Sequence, residues 1–535
     1  MLQSKPRQFQ AIQNWISVKH SWSDNAAKLA ALIAGLAAFT CILFSRGWPI
    51  VGDSSLLHYG VFLMSRGLAP YRNIMEINFP GAIVSEKIAM GVLGNTSSAW
   101  RIYDAIFCVL ATTSFICLFR GKRWQYGLIG GATLTCTHLQ DGLAQAGQRD
   151  FLIAVLLLAA YATIFLAQTK KYNAALAFVI GFLFGASLTI KPLFLPLYLV
   201  VMTISAISAR ASRTSVMNYL SASLIGLITP LAAMVLWLRS YGSIRAFWEI
   251  LSIIEPYHAS LGRRPIGYLL THALSPIEIF FIGAVVFGMM AGWRKHFSNL
   301  ENLELWAGFV FSILAYVEQG KGFSYQRYPI ICFALLIGLR ILQDFDCRSR
   351  RAEIASVIVV IYLCAGIDGL AIYRVVSYGT HQSFQESLIR DLKTLHAGER
   401  YVQCLDTYGG CPGALYNASL VQSTGFLYDC YLYGPKTNPA VEWYRARFWA
   451  EYKKASPRII VVTDQLCFGG HNLDKIESYD ALSKDIALNY RMETEWHPLS
   501  RQRWWSRSEF PSSFRIYVRN VVTGSSTNPL GSLKR

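Results

Sequence analysis

The feature that most constrains this chain is a series of apolar runs that continues to about residue 373. Their approximate bounds are 26–45, 100–119, 124–138, 151–168, 173–190, 192–209, 216–238, 268–291, 304–317, 328–342 and 354–373. A helix needs about 20 apolar residues to cross a bilayer, so the shorter runs predict broken or tilted spans. Only 15% of the 535 residues are charged, against about 25% in soluble domains. We therefore predict a polytopic α-helical membrane protein with about 11 transmembrane helices.

Basic residues cluster on alternate connections between these runs. The clusters are Lys5, Arg7, Lys19 and Lys28; Arg120, Lys122 and Arg123; Lys170 and Lys171; Arg210 and Arg213; Arg294 and Lys295; and Arg348, Arg350 and Arg351. Short cytoplasmic loops carry such charge, which predicts a cytoplasmic N-terminus. The opposite face then carries residues 46–99, 139–150, the turn at Lys191, 239–267, 318–327 and everything after about residue 374. The formal net charge of +18 follows from the same bias. It indicates membrane lipids as partners and no nucleic acid.

Three regions differ in composition. Residues 1–25 have aromatic and aliphatic residues on one helical face and predict a cytoplasmic interfacial helix, with Asp24 and Asn25 capping the helix that follows. Residues 26–375 form the transmembrane domain. Residues 376–535 predict an extramembrane α/β domain, with strands at 458–463 and 515–520 and helices at 440–454 and 474–489. In this domain Trp504 and Trp505 are either sugar-stacking surfaces or core aromatic residues.

Four of the 11 cysteines lie in this last region. They are Cys404, Cys411, Cys430 and Cys467. An oxidising compartment permits disulfides among them, and four cysteines allow three full pairings, which the sequence leaves open. A structural metal is the weaker alternative, because no CxxC or HxxxH spacing supports it.

The connection at 46–99 is the candidate reaction site. It contains GDSSLLHYGVFLMSRGLAPYRNIMEINFP, with Asp53 at its start and Glu76 near its end. A carboxylate held at a membrane boundary is costly unless it serves a function, although a solvated loop is the plainer alternative. The density of polar, aromatic and turn-forming residues favours a folded site.

Several motifs occur in a characteristic order along the chain. After this connection come LAQAGQRDFLIAVLLLA, LTIKPLFLPL and YQRYPIICFALL. In this respect, over about residues 25–345, the chain resembles the GT-C superfamily of membrane glycosyltransferases. That superfamily includes protein mannosyltransferases, lipid A aminoarabinose transferases, rhizobial galacturonosyltransferases and mycobacterial arabinofuranosyltransferases.

The resemblance implies a GT-C fold and transfer of a sugar from a polyprenyl-phosphate donor on the periplasmic face of a bacterial inner membrane. The acceptor would be a cell-envelope glycan, a lipid or a protein. The acidic residue of the superfamily's first outer loop matches Asp53, our candidate general base. Many members carry a second acid next to it, where this chain has Ser54. That departure argues against an acidic pair and against a metal there, so no cofactor is required. A divalent metal on Asp53 and His58 is possible but not predicted.

Cations on the same face are candidates for binding the donor phosphate. Lys191 stands between two apolar runs, where snorkelling of its side chain is the alternative explanation. Arg149 is either a donor ligand or half of a salt-bridged helix start with Asp150. Arg327 is suited to bidentate phosphate contacts, or else marks the boundary of a span. The remaining candidates for donor phosphate or sugar binding are Lys321, Arg263, Tyr325, His58, Tyr59 and Glu76.

His58 and Tyr59 either line the sugar or pack the loop, and Glu76 either pairs with an arginine or binds a sugar hydroxyl. One displacement at the anomeric carbon suffices, so we expect inversion. A retaining route needs a second carboxylate as nucleophile, for which Glu76 is the less favoured candidate. The alternative function is a transporter or flippase of a lipid-linked anionic glycan. Such a protein is expected to have polar or broken helices at the midplane and internal symmetry. In this sequence the polar residues instead collect at one membrane face, and there is no internal repeat.

Overall fold

The computed structural model describes residues 6–119, 123–145, 147–169, 173–208, 213–290, 300–345, 358–377, 383–398, 400–498 and 512–520. Residues named above that lie outside these ranges are Lys5, Arg120, Lys122, Lys170, Lys171, Arg210, Arg294, Lys295, Arg348, Arg350, Arg351, Trp504 and Trp505. The chain divides into two compact units, and the second begins at Ser383.

The regular elements in the described part of the first unit are helices. Its first helices are α1 (Pro6–Ser45), α2 (Gly52–Ser65), α3 (Pro80–Leu93), α4 (Ser97–Leu118), α5 (Trp124–Gln140), α6 (Arg149–Thr169), α7 (Ala174–Ile190) and α8 (Leu195–Ser208). They are followed by α9 (Arg213–Ser240), α10 (Ile244–Ser260), α11 (Ile266–His272), α12 (Glu278–Met290), α13 (Leu300–Gln319), α14 (Tyr328–Phe345) and α15 (Gly369–Ser377). A π-helical turn, Tyr362–Asp368, leads directly into α15.

Six described helices are long and apolar enough to cross a membrane. They are Asn25–Ser45, Ser97–Leu118, Arg149–Gln168, Ser215–Ser240, Ser324–Gln343 and Ile358–Ser377, and three shorter apolar helices are Ala174–Ile190, Pro192–Ile207 and Glu278–Met289. The most apolar stretch of Ser324–Gln343 is 83% buried and that of Ser215–Ser240 only 17%. Helix α14 therefore lies at the centre of the bundle, whereas α9 lies at its periphery. The prediction of a polytopic helical membrane protein is confirmed.

Two predicted boundaries differ from the structure. Helix α1 passes through Asp24 and Asn25 without a break, because the chain has neither proline nor glycine between Pro6 and Gly35 to end the helix. The apolar run at 268–291 is not one helix. It is divided between α11 and α12, since Pro276 has no amide proton with which to continue a helix.

The second unit contains a four-stranded sheet in the order β1-β2-β4-β3. The strands are β1 (Val402–Leu405), β2 (Ile459–Thr463), β3 (Tyr490–Trp496) and β4 (Phe514–Arg519), and the helices are α16 (Ser383–Thr394), α17 (Cys411–Asn417), α18 (Pro439–Ala455) and α19 (Asp480–Asn489). Strands β1 and β2 are parallel, and β4 is antiparallel to both β2 and β3. Every residue of β1 and β2 is buried. The edge strand β1 and its neighbour β2 therefore lie in the core of this unit, and β2 coincides with the apolar run at 458–463.

Candidate functional site

Asp53 lies in the first turn of α2. The chain reaches this helix through an extended Val51 and through Gly52, whose φ of 61° lies in the region that glycine adopts without strain. The unpaired amide groups of a helix N-terminus stabilise a carboxylate in the first turn. The Asp53 side chain is 18% exposed, so it is fixed at the end of a helix and still accessible to a small molecule.

The partner of Asp53 is Arg149, 96 residues further along the chain. Arg149 Nη2 donates to Asp53 Oδ2 at 2.9 Å, and the Arg149 side chain is 14% exposed. Arg149 is the first residue of α6. Arg149 thus reaches across to α2, and its predicted contact with the donor stays a prediction.

Lys191 ends α7 and binds three acceptor atoms. Because proline disfavours helical backbone in the preceding residue, Pro192 leaves Lys191 extended (φ −150°, ψ 124°). The Lys191 Nζ donates to both Asp150 carboxylate oxygens at 2.7 Å and to Gln319 Oε1 at 2.6 Å. Burial lowers the pKa of Lys191, and Asp150 opposes this shift. Protein side chains thus bind the ammonium group. A lysine that only snorkels towards the membrane surface needs no such partners.

These pairs join into one network because Arg149 and Asp150 are consecutive. We call Asp53, Arg149, Asp150, Lys191 and Gln319 the charge chain. It links the start of α2, the start of α6, the end of α7 and the end of α13. Asp150 is only 3% exposed, whereas Lys191 retains 21%. A ligand from outside therefore reaches Asp53, Arg149 and Lys191 more readily than Asp150.

A buried pair lies beside the charge chain. The ring of His58 contacts the Glu86 carboxylate, and His58 Nδ1 is 3.1 Å from the carbonyl oxygen of Ser54. Burial raises the pKa of Glu86, which the charges of His58 and Arg149 oppose. Tyr59 is fully buried and stacks on Phe62. The structure thus shows packing contacts for His58 and Tyr59, and a contact with sugar stays a prediction for both.

Glu76 shapes the turn before α3. Its Oε1 accepts from the backbone amides of Ile77 and Asn78 at 2.9 and 2.8 Å and from Asn78 Nδ2 at 2.6 Å. Burial raises the pKa of the neighbouring Tyr71 well above its usual value, and the charge of Glu76 adds to the shift. A cavity there is lined by Tyr71, Glu76, Ile77, Phe247, Ile250, Leu251 and Glu255.

The charges of Arg149 and Lys191 act on His258, near the end of α10. Burial lowers the pKa of His258 to about 3, and the charges of Lys321, Arg149 and Lys191 add to this shift. Lys321 Nζ donates to the carbonyls of His258 and Ala259 at 2.7 and 3.2 Å and to that of Leu261. It therefore satisfies carbonyls at the helix C-terminus.

Burial also lowers the pKa of Lys321 to about 8, and the charge of Arg263 adds to this shift. The Arg263 guanidinium lies against Gly320, at the end of α13: a Cβ added to this glycine would be 2.9 Å from Arg263 Cζ. Lys321 and Arg263 are thus brought next to the charge chain, and their predicted phosphate contacts stay predictions.

Arg327 lies in a different group of residues. Its Nε donates to the carbonyl of Ser324 at 3.2 Å and its Nη1 to that of His272 at 3.3 Å. Burial raises the pKa of Asp141, which the charge of Arg327 opposes. Tyr325 packs on Phe323 with ring centroids 5.3 Å apart. Within the described residues no contact joins Arg327 to the charge chain, so its phosphate role stays a prediction.

One buried group has the composition of a metal site. Ligand atoms of Asp104, Cys108 and His138 lie within 4.8 Å of one another. Asp104 Oδ1 already accepts from His138 Nε2 at 2.8 Å and from the amide of Gly147 at 2.9 Å. Oδ1 of Asp104 is thus already hydrogen-bonded within the protein. A second group, at Asp429, includes Cys430 and Cys467, which form a disulfide.

Sequence reasoning missed the roles of Asp150, Glu86 and Gln319. The sequence context of Asp150 suggests only a pair with its neighbour Arg149, although a carboxylate that opens an apolar helix is itself a signal for a buried partner. Glu86 stands in the apolar segment AIVSEKIAM, which is the same kind of signal. Gln319 has no comparable sequence signal.

No protein-family model and no curated protein sequence matches the chain. Its fold is similar to that of ArnT from Cupriavidus metallidurans bound to undecaprenyl phosphate, with a TM-score of 0.57 and 11% identity over 92% of this chain and 98% of that one. ArnT in the apo state gives a TM-score of 0.56 and 11% identity over 92% and 97% of the two chains. The Archaeoglobus fulgidus oligosaccharyltransferase in complex with Zn and sulfate gives 0.50 and 11% over 81% and 67%. The predicted GT-C fold is confirmed.

Proposed function

We propose that the chain is a glycosyltransferase that moves a sugar from a polyprenyl-phosphate donor to an acceptor hydroxyl or amine. The charge chain is the observation that carries this proposal. It brings an accessible carboxylate, Asp53, and an accessible ammonium, Lys191, into one network from distant parts of the sequence. The fold shared with ArnT, a protein whose structure holds undecaprenyl phosphate, supports a lipid-phosphate donor.

In the proposed reaction Asp53 removes the proton of the acceptor as that group attacks the anomeric carbon. The bond between this carbon and the phosphate oxygen breaks, and polyprenyl phosphate leaves with the bonding electrons. Lys191 and Arg149 compensate the negative charge that develops on the phosphate. A single displacement inverts the anomeric configuration. Arg327, Lys321, Arg263, Tyr325, His58, Tyr59 and Glu76 remain proposed contacts of the donor phosphate or sugar.

We further propose about 11 spans in a bacterial inner membrane, with a cytoplasmic N-terminus and residues 376–535 in the periplasm. The alternating basic clusters support this orientation. The disulfides Cys404–Cys411 and Cys430–Cys467 also support it, because the periplasm is oxidising. The acceptor is proposed to be a cell-envelope glycan, lipid or protein.

The test of the activity is turnover in nanodiscs with a panel of synthetic polyprenyl-phosphate sugars, measured as released polyprenyl phosphate. We expect D53N to lower kcat about 1,000-fold, near the scale of general base catalysis, while donor binding stays within about threefold. D480N is the matched control, because Asp480 is 58% exposed and lies in the second unit. Full turnover by D53N, or movement of the intact donor lipid across the membrane without bond cleavage, would overturn the proposal in favour of a transporter.

A further inference from the structure

Helix α4 contacts the two chain segments that precede Asp53 and Arg149. Asp53 is the second residue of α2, which the segment Trp48–Val51 precedes. Arg149 follows a connection from α5 of which the structure describes residues 141–145, 147 and 148. The described residues of these two segments have no regular structure that would fix them by themselves, apart from the short helical turn Leu143–Gln145. Their positions therefore depend on what they are bonded to.

Arg101, in the second turn of α4, bonds to both segments at once. Its Nε donates to the carbonyl of Trp48 at 3.0 Å, and its Nη2 donates to the carbonyls of Pro49 at 2.5 Å and Leu143 at 3.3 Å. The guanidinium also lies over the Trp48 ring at 5.5 Å. Arg101 is 4% exposed. The planar guanidinium holds donors in fixed directions, so one side chain sets the distance between two backbones.

Asp104, nearly one turn later, holds the second segment. Its Oδ1 accepts from the amide of Gly147, two residues before Arg149, and from His138 Nε2 at the end of α5. Gly147 has a φ of 70°, and a Cβ there would come within 2.0 Å of the Trp100 ring. The loop therefore lies directly against α4, with no room for a side chain.

We propose that Arg101 and Asp104 are positioning residues of the reaction site, which hold the Asp53 and Arg149 side chains at pairing distance. This inference rests on the proposed function only for its catalytic consequence. A displacement of about 1 Å at a reacting group costs about 100-fold in rate, so modest loosening of either segment is sufficient. Neither residue contacts the charge chain directly through a described side-chain bond; each acts through backbone groups.

Two measurements on the full-length protein test the inference. The first is hydrogen–deuterium exchange of peptides covering residues 46–57 and 141–150. We expect R101M to raise exchange in both segments. The control is R340M: Arg340 is a partly buried arginine that, like Arg101, bonds to a backbone carbonyl, that of Leu118, and lies over an aromatic ring, that of Phe165. It should leave both segments unchanged. Unchanged exchange in R101M would overturn the inference, whatever the activity of the protein.

The second measurement is kcat and KM with a donor that the wild type turns over. We expect R101M and D104A to lower kcat between about 10- and 100-fold with little change in the donor KM. D104N should retain most of the activity, because an amide oxygen still accepts from Gly147 and His138. If D104N were as inactive as D104A, or R340M as inactive as R101M, the positioning role would be wrong. If no donor is turned over by the wild type, the proposed function fails while the exchange result still decides the positioning role.

Discussion

The stability of the pair between Asp150 and Lys191 depends on two opposing free energies, the cost of desolvation and the gain from pairing. Removing the Asp150 carboxylate from water is unfavourable, and the Lys191 ammonium compensates through two hydrogen bonds of 2.7 Å. With Asp150 only 3% exposed, the carboxylate has little access to water as a substitute partner. The pair is therefore expected to matter more for stability than an exposed pair does.

Loss of one partner should consequently cost more than loss of both. We predict that K191M lowers the free energy of unfolding by about 3–5 kcal/mol, because it leaves a buried charge unpaired. The K191M/D150L double variant should recover most of that loss but remain inactive, since the proposed phosphate ligand is still missing. Both quantities are measured by denaturant unfolding in detergent and by the turnover assay.

The matched control is K436M, which breaks the pair between Lys436 and Asp480 in the second unit. Their side chains are 62% and 58% exposed, so water replaces the lost partner and the change in stability should be small. If the K191M/D150L variant were as unstable as K191M, the unpaired Asp150 carboxylate would not be the cause of the instability.

At the scale of elements, α7 and α9 approach each other through glycine. Gly181 and Gly185 on α7 meet the backbone of α9, and Gly226 on α9 meets the backbone of α7 at Phe178. Small residues four apart allow membrane helices to pack backbone against backbone. Because Lys191 directly follows α7, this packing also sets the position of the charge chain.

G181A is therefore predicted to destabilise the protein and to lower turnover. An alanine Cβ at position 181 would lie 1.8 Å from the carbonyl oxygen of Ser223, so the two helices must separate. G283A is the control: no atom lies within 4 Å of a Cβ there, and alanine is favoured over glycine in a helix by about 1 kcal/mol. Thermal unfolding monitored by tryptophan fluorescence should show a lower Tm for G181A and an unchanged or higher one for G283A. Equal Tm values would refute the packing argument.

At the scale of the whole molecule, the two units gain stability by different means. The membrane unit has a bundle core to which α6 and α14 contribute many buried side chains, such as Tyr161 and Phe333. The second unit has a small sheet and two disulfides, with Cα–Cα distances of 6.0 and 5.5 Å, both usual for a disulfide. A buried ion pair between Lys475 and Asp429 adjoins the second disulfide.

Removal of the disulfide between Cys430 and Cys467 should destabilise the second unit alone. The sequence separation is 37 residues, for which loop-closure entropy predicts about 4 kcal/mol; for Cys404–Cys411, separated by 7, it predicts about 2.5 kcal/mol. We predict that C430S/C467S raises hydrogen exchange in β1 and β2 more than C404S/C411S does. Exchange in α6 and α14 serves as the internal control. The reverse order of effects would show that loop length does not govern the stabilisation.

The sequence by itself determined where the principal helices of the membrane unit and the central strands of the second unit lie. Apolar runs such as 151–168 and 328–342 become α6 and α14, because backbone groups in lipid must bond within their own segment and a helix achieves this locally. The run at 458–463 likewise becomes β2. Asp53 and Lys191 could be selected as candidate site residues because an ionisable group at a membrane boundary is costly wherever the helices pack.

Only the tertiary structure decided which charges meet. Arg149 pairs with Asp53 rather than with its neighbour Asp150, and Asp150 pairs with Lys191. Arg327 instead bonds to the carbonyls of Ser324 and His272, although its sequence context resembles that of a phosphate ligand. The sequence likewise leaves three pairings of the four cysteines open, and the tertiary structure decides between them. Which side chains pair depends on the distances between elements that are far apart in the chain, and packing sets these distances. Arg101, for example, binds the backbones of two segments, and Gly181 allows α9 to pack closely against α7.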